Sequence, residues 1–435
     1  MPIDKDPRAG RLPKRGGFVL GRRASLVVSA GVAGHTLWTS AAPALTYRLY
    51  AQEWHLTHTV TTGIFAVYPI AVVAMLVGFG GISDQIGRRP AMLLGLAASL
   101  VGAVLFAVAP DVWWVFAGRA FTGVGVGLSA GPSTAAILEF GRHQDAKRAA
   151  SLTMTAQAAG FAAGLFVGGA LTEYGPWPTR LCFCVLAVLL LVLLSATWLL
   201  PRQAMVGESV GWRPKMPSVP KGSRRAFATA ATSMMVAYTF GVLVLSLGGQ
   251  VEHDLIGSSN ALLNGAVLAL FPIVLGLVGT LGKVLSSRAA LCIGSVASAS
   301  GMGLLALAVR QHDLLVYLAS TATAGAGYSL LFVGGLRLSD ASGSSRHRGG
   351  MLSALYLVGY LSMAAVALAL GAVATSWGLK LAVDLGAVVI TIMSIATFVL
   401  AVASRVDSAS RAVAISLPRA ASGGAIDQHG HRRDD

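Results

Sequence analysis

The chain has 435 residues, 55% of them hydrophobic and only 12% charged, with a mean hydropathy of +0.70 and a net charge of +15. Soluble globular domains carry about 25% charged residues, so this composition excludes an ordinary water-soluble protein. Its apolar runs, near the ~20 residues that cross a hydrocarbon core, point to an all-α polytopic membrane protein rather than a β-barrel of ~10-residue alternating strands.

In chain order, residues 1–23 form a polar, basic tail. Lys14, Arg15, Arg22 and Arg23 precede an apolar stretch in the manner of a signal peptide, but that stretch contains His35, Trp38 and Thr39. It reads as an uncleaved first span. Twelve apolar segments follow one another at 24–46, 59–82, 90–108, 112–136, 150–172, 178–200, 226–248, 258–281, 289–309, 313–336, 350–373 and 379–403. Residues 24–200 make one six-helix half and 226–403 the other. The linker 201–225 is polar, basic and proline-bearing, and the tail 404–435 is polar and expected to be disordered.

The basic residues orient this layout. With the N-terminus inside, 28 of the 33 Lys and Arg fall in inside segments. Four (Arg48, Arg180, Arg310 and Lys380) fall outside, and Arg119 lies within a span. Positive charge concentrates on the cytoplasmic side, so both termini are expected there. Trp54, Trp113, Trp114, Trp177 and Trp377 mark the opposite span edges, as an aromatic belt does. The net charge is therefore topological, and no nucleic-acid partner is expected.

The halves repeat. "VYPIAV" (67–72) matches "LFPIVL" (270–275), and residues 111–127 align without gaps to 313–329 at an offset of 202, with Gly123 on Gly325 and Gly125 on Gly327. The offset covers six helices, an even number, so the halves share one orientation about an axis along the membrane normal. Transporters built this way bind substrate near the midplane between the halves and rock between access states.

Three stretches carry chemistry. Residues 80–90, "GGISDQIGRRP", connect spans 2 and 3. Gly87 can supply the positive φ of a tight reversal, and Asp84 can accept from a helix N-terminus or pair with Arg88. Arg88 and Arg89 satisfy orientation on their own, but they leave Asp84 at a membrane edge unexplained. Arg119 is the one basic residue placed inside a span, where charge is costly and marks function unless the side chain snorkels outward. Spans 4 and 5 carry glycines at 123, 125, 127, 160, 164, 168 and 169, which permit close helix packing, and Pro132 is expected to bend span 4.

On these residues the chain resembles the major facilitator superfamily, in particular its twelve-span drug:proton antiporter branch. The family's G-x-x-x-D-x-x-G-R-R/K signature is matched by Gly80, Asp84, Gly87, Arg88 and Arg89. Its fourth-span signature, Arg followed by glycines, is matched by Arg119, Gly123, Gly125 and Gly127. Its fifth-span G-x-x-x-G-P-x-x-G-G is met by Gly160, Gly164, Gly168 and Gly169, with Leu165 in place of the proline. The resemblance implies that Asp84 latches the N-terminal half against the start of span 11 and that Arg119 serves proton coupling. It also implies a location in a bacterial inner membrane.

Span 1 lacks the acid that many such antiporters carry. His35, whose imidazole titrates near neutrality, is the substitute proton carrier, against a packing role. Glu139 and Asp384 read as edge charges. Candidate cavity residues by polarity are Trp38, Gln157, Tyr238, Asn264 and Tyr328. Cys182, Cys184 and Cys292 lie in apolar runs and read as packing, and His55 and His58 as surface residues. With no Walker sequence, no metal-ligand spacing and no expected cofactor, the reading is a non-enzymatic secondary transporter. It is expected to be monomeric, with protons, a small molecule and the lipid bilayer as partners, and to export an amphipathic or hydrophobic compound by proton antiport. The alternatives are a proton-coupled importer of a sugar or metabolite and a non-transporting multipass sensor or membrane enzyme. "LPRQAMVG" after span 6 lacks the acid- and arginine-bearing signature of sugar porters, and no catalytic cluster or soluble domain is visible.

Overall fold

Glycine, proline and short polar caps divide the apolar chain into helices in this computed structural model, which describes residues 19–79, 82–141, 146–201, 219, 223–257, 259–342 and 348–416. The N-terminal half comprises α1 (Arg22–Ala41), α2 (Thr46–Glu53), α3 (His58–Phe79), α4 (Ile82–Ile86), α5 (Arg88–Ala107), α6 (Val112–Phe140), α7 (Ala146–Tyr174) and α8 (Leu181–Trp198). The C-terminal half comprises α9 (Arg224–Val242), α10 (Gly248–Gln250), α11 (Ala261–Leu281), α12 (Ser287–Gln311), α13 (Leu314–Ser342), α14 (Arg348–Trp377) and α15 (Leu379–Ser416). Two π-helical turns, Leu243–Leu247 and Val251–Ile256, flank α10 and join it to α9. Eleven helices among the described residues are long and apolar enough to cross a membrane. The 20-residue α1 is more polar and is not among them.

Equivalent caps start equivalent helices. Asp111 accepts from the amides of Trp113 (2.9 Å) and Trp114 (3.4 Å), and Asp313 accepts from those of Leu315 (2.7 Å) and Val316 (3.2 Å). Each satisfies amides that a helix start leaves orphaned. The close approaches repeat as well. A Cβ on Gly123 would lie 2.6 Å from the Tyr68 carbonyl oxygen, and one on Gly325 would lie 2.5 Å from that of Phe271. Gly125 and Gly327 press in the same way on the hydroxyls of Ser99 and Ser298. The internal repeat is thus a repeat of contacts.

Within the halves, α5 packs on α6 and α12 on α13, while α1 packs on α7 and α9 on α14. Two seams join the halves, α3 on α14 and α7 on α11. Gly169 and Gly265 bring the second seam to backbone contact: a Cβ on Gly169 would meet the Ala261 carbonyl oxygen at 2.5 Å. One end of the bundle, the basic face, carries Arg22, Arg88, Arg89, Arg288 and Arg337. The far face carries α2 and the exposed Trp113, Trp114, Trp177 and Trp377.

Three boundaries differ from expectation. The loop after span 1 contains α2, whose Tyr47 and Tyr50 are buried. The seventh span does not end at 248: the polar run Gln250–Asp254 stays helical because the other half covers it, and Glu252 is fully buried. α15 continues past Ser404 to Ser416. The N-terminal tail to residue 18, most of the linker, Gly80 and the chain from 417 lie outside the described residues.

Candidate functional site

Pro43 prepares the seat of Arg119. It has no amide hydrogen to give the Thr39 carbonyl at the end of α1. The Ala44 amide turns to the Ala41 carbonyl (2.9 Å) rather than to Ser40. The carbonyls of Thr39 and Ser40 are therefore left for a side chain, and Arg119 Nη1 donates to both, at 3.5 and 3.3 Å. The cation sits at the negative end of the α1 dipole. Tyr68, Phe65 and Tyr47 enclose it, their ring centroids 4.9, 5.7 and 5.8 Å from the guanidinium carbon. Arg119 is 0% exposed and does not snorkel, and its Nε and Nη2 make no hydrogen bond. Aromatic faces and carbonyl dipoles hold a desolvated cation without neutralising it.

In the 80–90 connection, Gly87 has φ +90°, a region costly for a residue with a Cβ. Arg88 is paired with Glu139 of α6 and also donates to the Ala135 carbonyl (3.1 Å). Glu139 is thus the partner of Arg88. Arg89 reaches the C-terminal end of α8, donating to the Leu200 carbonyl (3.0 Å) with its guanidinium 5.4 Å from the Trp198 ring. Both arginines tie α5 to a neighbouring helix besides carrying charge. Asp84 lies in α4, but its side chain, like Gly80 itself, is outside the described residues.

His35 is buried between α1 and α5. Its Nδ1 is bonded to the Val32 carbonyl, and Nε2 is 3.4 Å from Ser99 Oγ. This seat faces a helix of its own half. Of the cavity candidates, Tyr238 and Tyr328 meet (ring centroids 6.5 Å apart), within an aromatic cluster that includes Tyr360, 4.7 Å from Tyr238, and Phe332. Gln157 lies on α7, its Nε2 3.5 Å from Thr36 Oγ1 of α1, and Trp38 is half-buried on α1. Asn264 is buried on α11 at the seam with α7. Gly123 and Gly127 face α3, and Gly125 faces α5. Gly160 and Gly164 face α1, while Gly168 has nothing nearer than 3.8 Å. α6 runs on through Pro132.

The far face holds what the sequence reading missed. His58 Nδ1 is 2.7 Å from Gln250 Oε1, and Arg48 Nη2 donates to His253 Nε2 at 2.8 Å. His253 is in turn bonded to Asp254 (2.7 Å). Thr59 Oγ1 lies 2.9 Å from Thr375 Oγ1, and Glu173 Oε2 accepts from the Ala261 amide (2.7 Å). Apart from the His253–Asp254 pair, these links, four in number, cross between the halves. Glu252 sits among them, 0% exposed, with both carboxylate oxygens unbonded. The repeat offset pairs Glu252 with Tyr50 of α2, a signal that this stretch is no simple loop.

The model of the Major Facilitator Superfamily matches residues 27–288. The multidrug efflux pump LfrA of Mycolicibacterium smegmatis is 30% identical over 177 residues, 40% of this chain and 34% of that protein. The multidrug resistance protein MdtH of Cronobacter sakazakii is 27% identical over 229 residues, 46% of this chain and 56% of that protein. The puromycin resistance protein pur8 of Streptomyces alboniger is 31% identical over 149 residues, 34% and 29%. The chain thus spans between 29% and 56% of the lengths of these relatives. Among solved structures, a POT family transporter in complex with a thioalcohol-conjugated peptide superposes with a TM-score of 0.70 at 14% identity, covering 89% of this chain and 98% of that one. The nucleoside transporter NupG does so at 0.67 and 12%, covering 87% and 98%. At such identities the likeness is one of fold.

Proposed function

We propose, from the premise that this chain belongs to the major facilitator superfamily, that it exports a small amphipathic or hydrophobic compound across a bacterial inner membrane in exchange for protons. α1 serves as the twelfth span, and both termini face the cytoplasm, as the 28-to-4 distribution of basic residues supports. The observation that carries the reading is Arg119: a fully buried guanidinium at the broken end of α1, caged by three aromatic rings. Its attraction for an anion or a substrate dipole changes when a nearby group gains a proton. The Tyr238–Tyr328–Tyr360 cluster supplies apolar faces with polar edges, suited to an amphipathic guest. The partial relatives named for multidrug efflux and puromycin resistance favour export.

Everted membrane vesicles with a pH-sensitive dye and a panel of hydrophobic cations and amphipathic drugs test this. Substrate-dependent discharge of an imposed proton gradient is expected; no discharge with any compound, or uptake in the opposite sense, refutes export by antiport. On the basic face, Asp84 acts as the latch to the start of α14. Asp84→Asn is expected to shift spin-label distances across that face toward its open state, and an unchanged distribution removes the latch.

A further inference from the structure

A carboxylate buried inside a membrane protein is held by a cation, by hydrogen bonds or by a proton. Glu252 has neither of the first two: both oxygens are unbonded, and its side chain is 0% exposed. We propose that the Glu252 carboxylate is a proton-binding site of the C-terminal half, filled from solvent when the far face opens and sealed when that face closes.

The surroundings favour a proton over a metal cation. Tyr317 of α13 lies within electrostatic range of Glu252. Beside them is a cavity of about 30 Å³, lined in part by Val251, Met302, Leu305, Tyr317 and Thr321. α12 presents Met302 and Leu305 there, with no charge. The Ser320 and Thr321 hydroxyls already donate to the carbonyls of Gly301 (2.8 Å) and Tyr317 (2.9 Å). A hard cation needs six or more oxygens, which this lining does not supply. The offset of 202 carries Arg119 to Thr321, so the C-terminal half has no guanidinium at the matching position.

The sealing follows from the neighbours of Glu252 in the chain. Gln250 is bonded to His58 of α3, and His253 to Arg48 of α2 and to Asp254. The segment carrying the acid is therefore clamped to the N-terminal half on both sides of it. Parting the halves at the far face breaks both clamps and opens the π-helical turn, a backbone form common at functional sites. A solvent proton then joins one Oε, no other bond changing, and closure keeps it there. This goes beyond the export reading and rests on it only for the transport arm of the test.

The test uses the full chain in liposomes. An acid-minus-alkaline infrared difference spectrum is expected to show the carbonyl stretch of a neutral carboxylic acid, lost in Glu252→Gln and displaced in Glu252→Asp. Arg48→Ala, which leaves the acid in place, is expected to speed deuterium exchange at that signal. In vesicles Glu252→Gln is expected to lose gradient-driven accumulation and to keep substrate exchange without a gradient. The proposal is overturned if the signal survives Glu252→Gln, if coupling survives its loss, or if Arg48→Ala leaves exchange unchanged. Should the wild type move no protons, the export reading fails, while the infrared arm still decides Glu252.

Discussion

Arg119 and His35 are both candidates for proton coupling, and their seats differ in kind. Arg119 offers a charge without a counter-charge, beside carbonyls that Pro43 and the Ala44 turn leave open. Arg119→Ala removes the donor to two buried carbonyls, a loss of about 1–3 kcal/mol for each group left unpaired. It is expected to lower the melting temperature in detergent and to abolish coupled transport. Arg119→Lys keeps the charge but not the planar fork. It should regain stability more than transport, and equal recovery of both would speak against a coupling role. His35 is held between the Val32 carbonyl and Ser99, both within its own half. His35→Gln is accordingly expected to leave the proton-to-substrate ratio intact at a cost of about 1 kcal/mol of stability; a dye assay showing uncoupling would instead make His35 the carrier.

Packing of whole elements depends on where each glycine faces. The Gly160 position lies 2.0 Å, by its ideal Cβ, from the Gly34 carbonyl oxygen, so α1 and α7 touch backbone to backbone there. Gly168, two turns on, has only the Ala42 oxygen at 3.8 Å. Gly160→Ala should therefore cost about 1–3 kcal/mol through overpacking, and Gly168→Ala should be near neutral; thermal melts of the two variants side by side check the contrast. Spacing in the sequence could not separate these glycines, because it ranks them alike. The seventh span teaches the complementary lesson. Hydropathy assigns Gln250–Asp254 to a loop, yet the other half's His58 and Arg48 meet its polar groups and keep it helical.

At the level of the whole molecule, four polar links close the far face, and alternating access requires that they break. Thr59 and Thr375 sit opposite one another with hydroxyls 2.9 Å apart, so the pair is a place to try an engineered crosslink between the halves. Thr59→Cys with Thr375→Cys, in a background lacking the free Cys182, Cys184 and Cys292, is expected to stop transport when oxidised and to restore it on reduction. Transport that persists in the oxidised, crosslinked protein would falsify alternating access at this face.

The sequence by itself determined class, repeat and the family signatures, because hydropathy, charge asymmetry and glycine spacing are local quantities that survive without coordinates. It also located Arg119 and assigned Gly87 its positive φ, since each is marked by residue type against its background. Which partner each charge takes was decided only by tertiary structure. Arg88 goes to Glu139, Arg89 to the end of α8, and Arg119 to a helix end opened by Pro43. Glu252, which reads as a loop residue, becomes a buried acid when the second half closes over it. Burial and pairing come from segments about two hundred residues apart meeting in space, and no single stretch of chain encodes them.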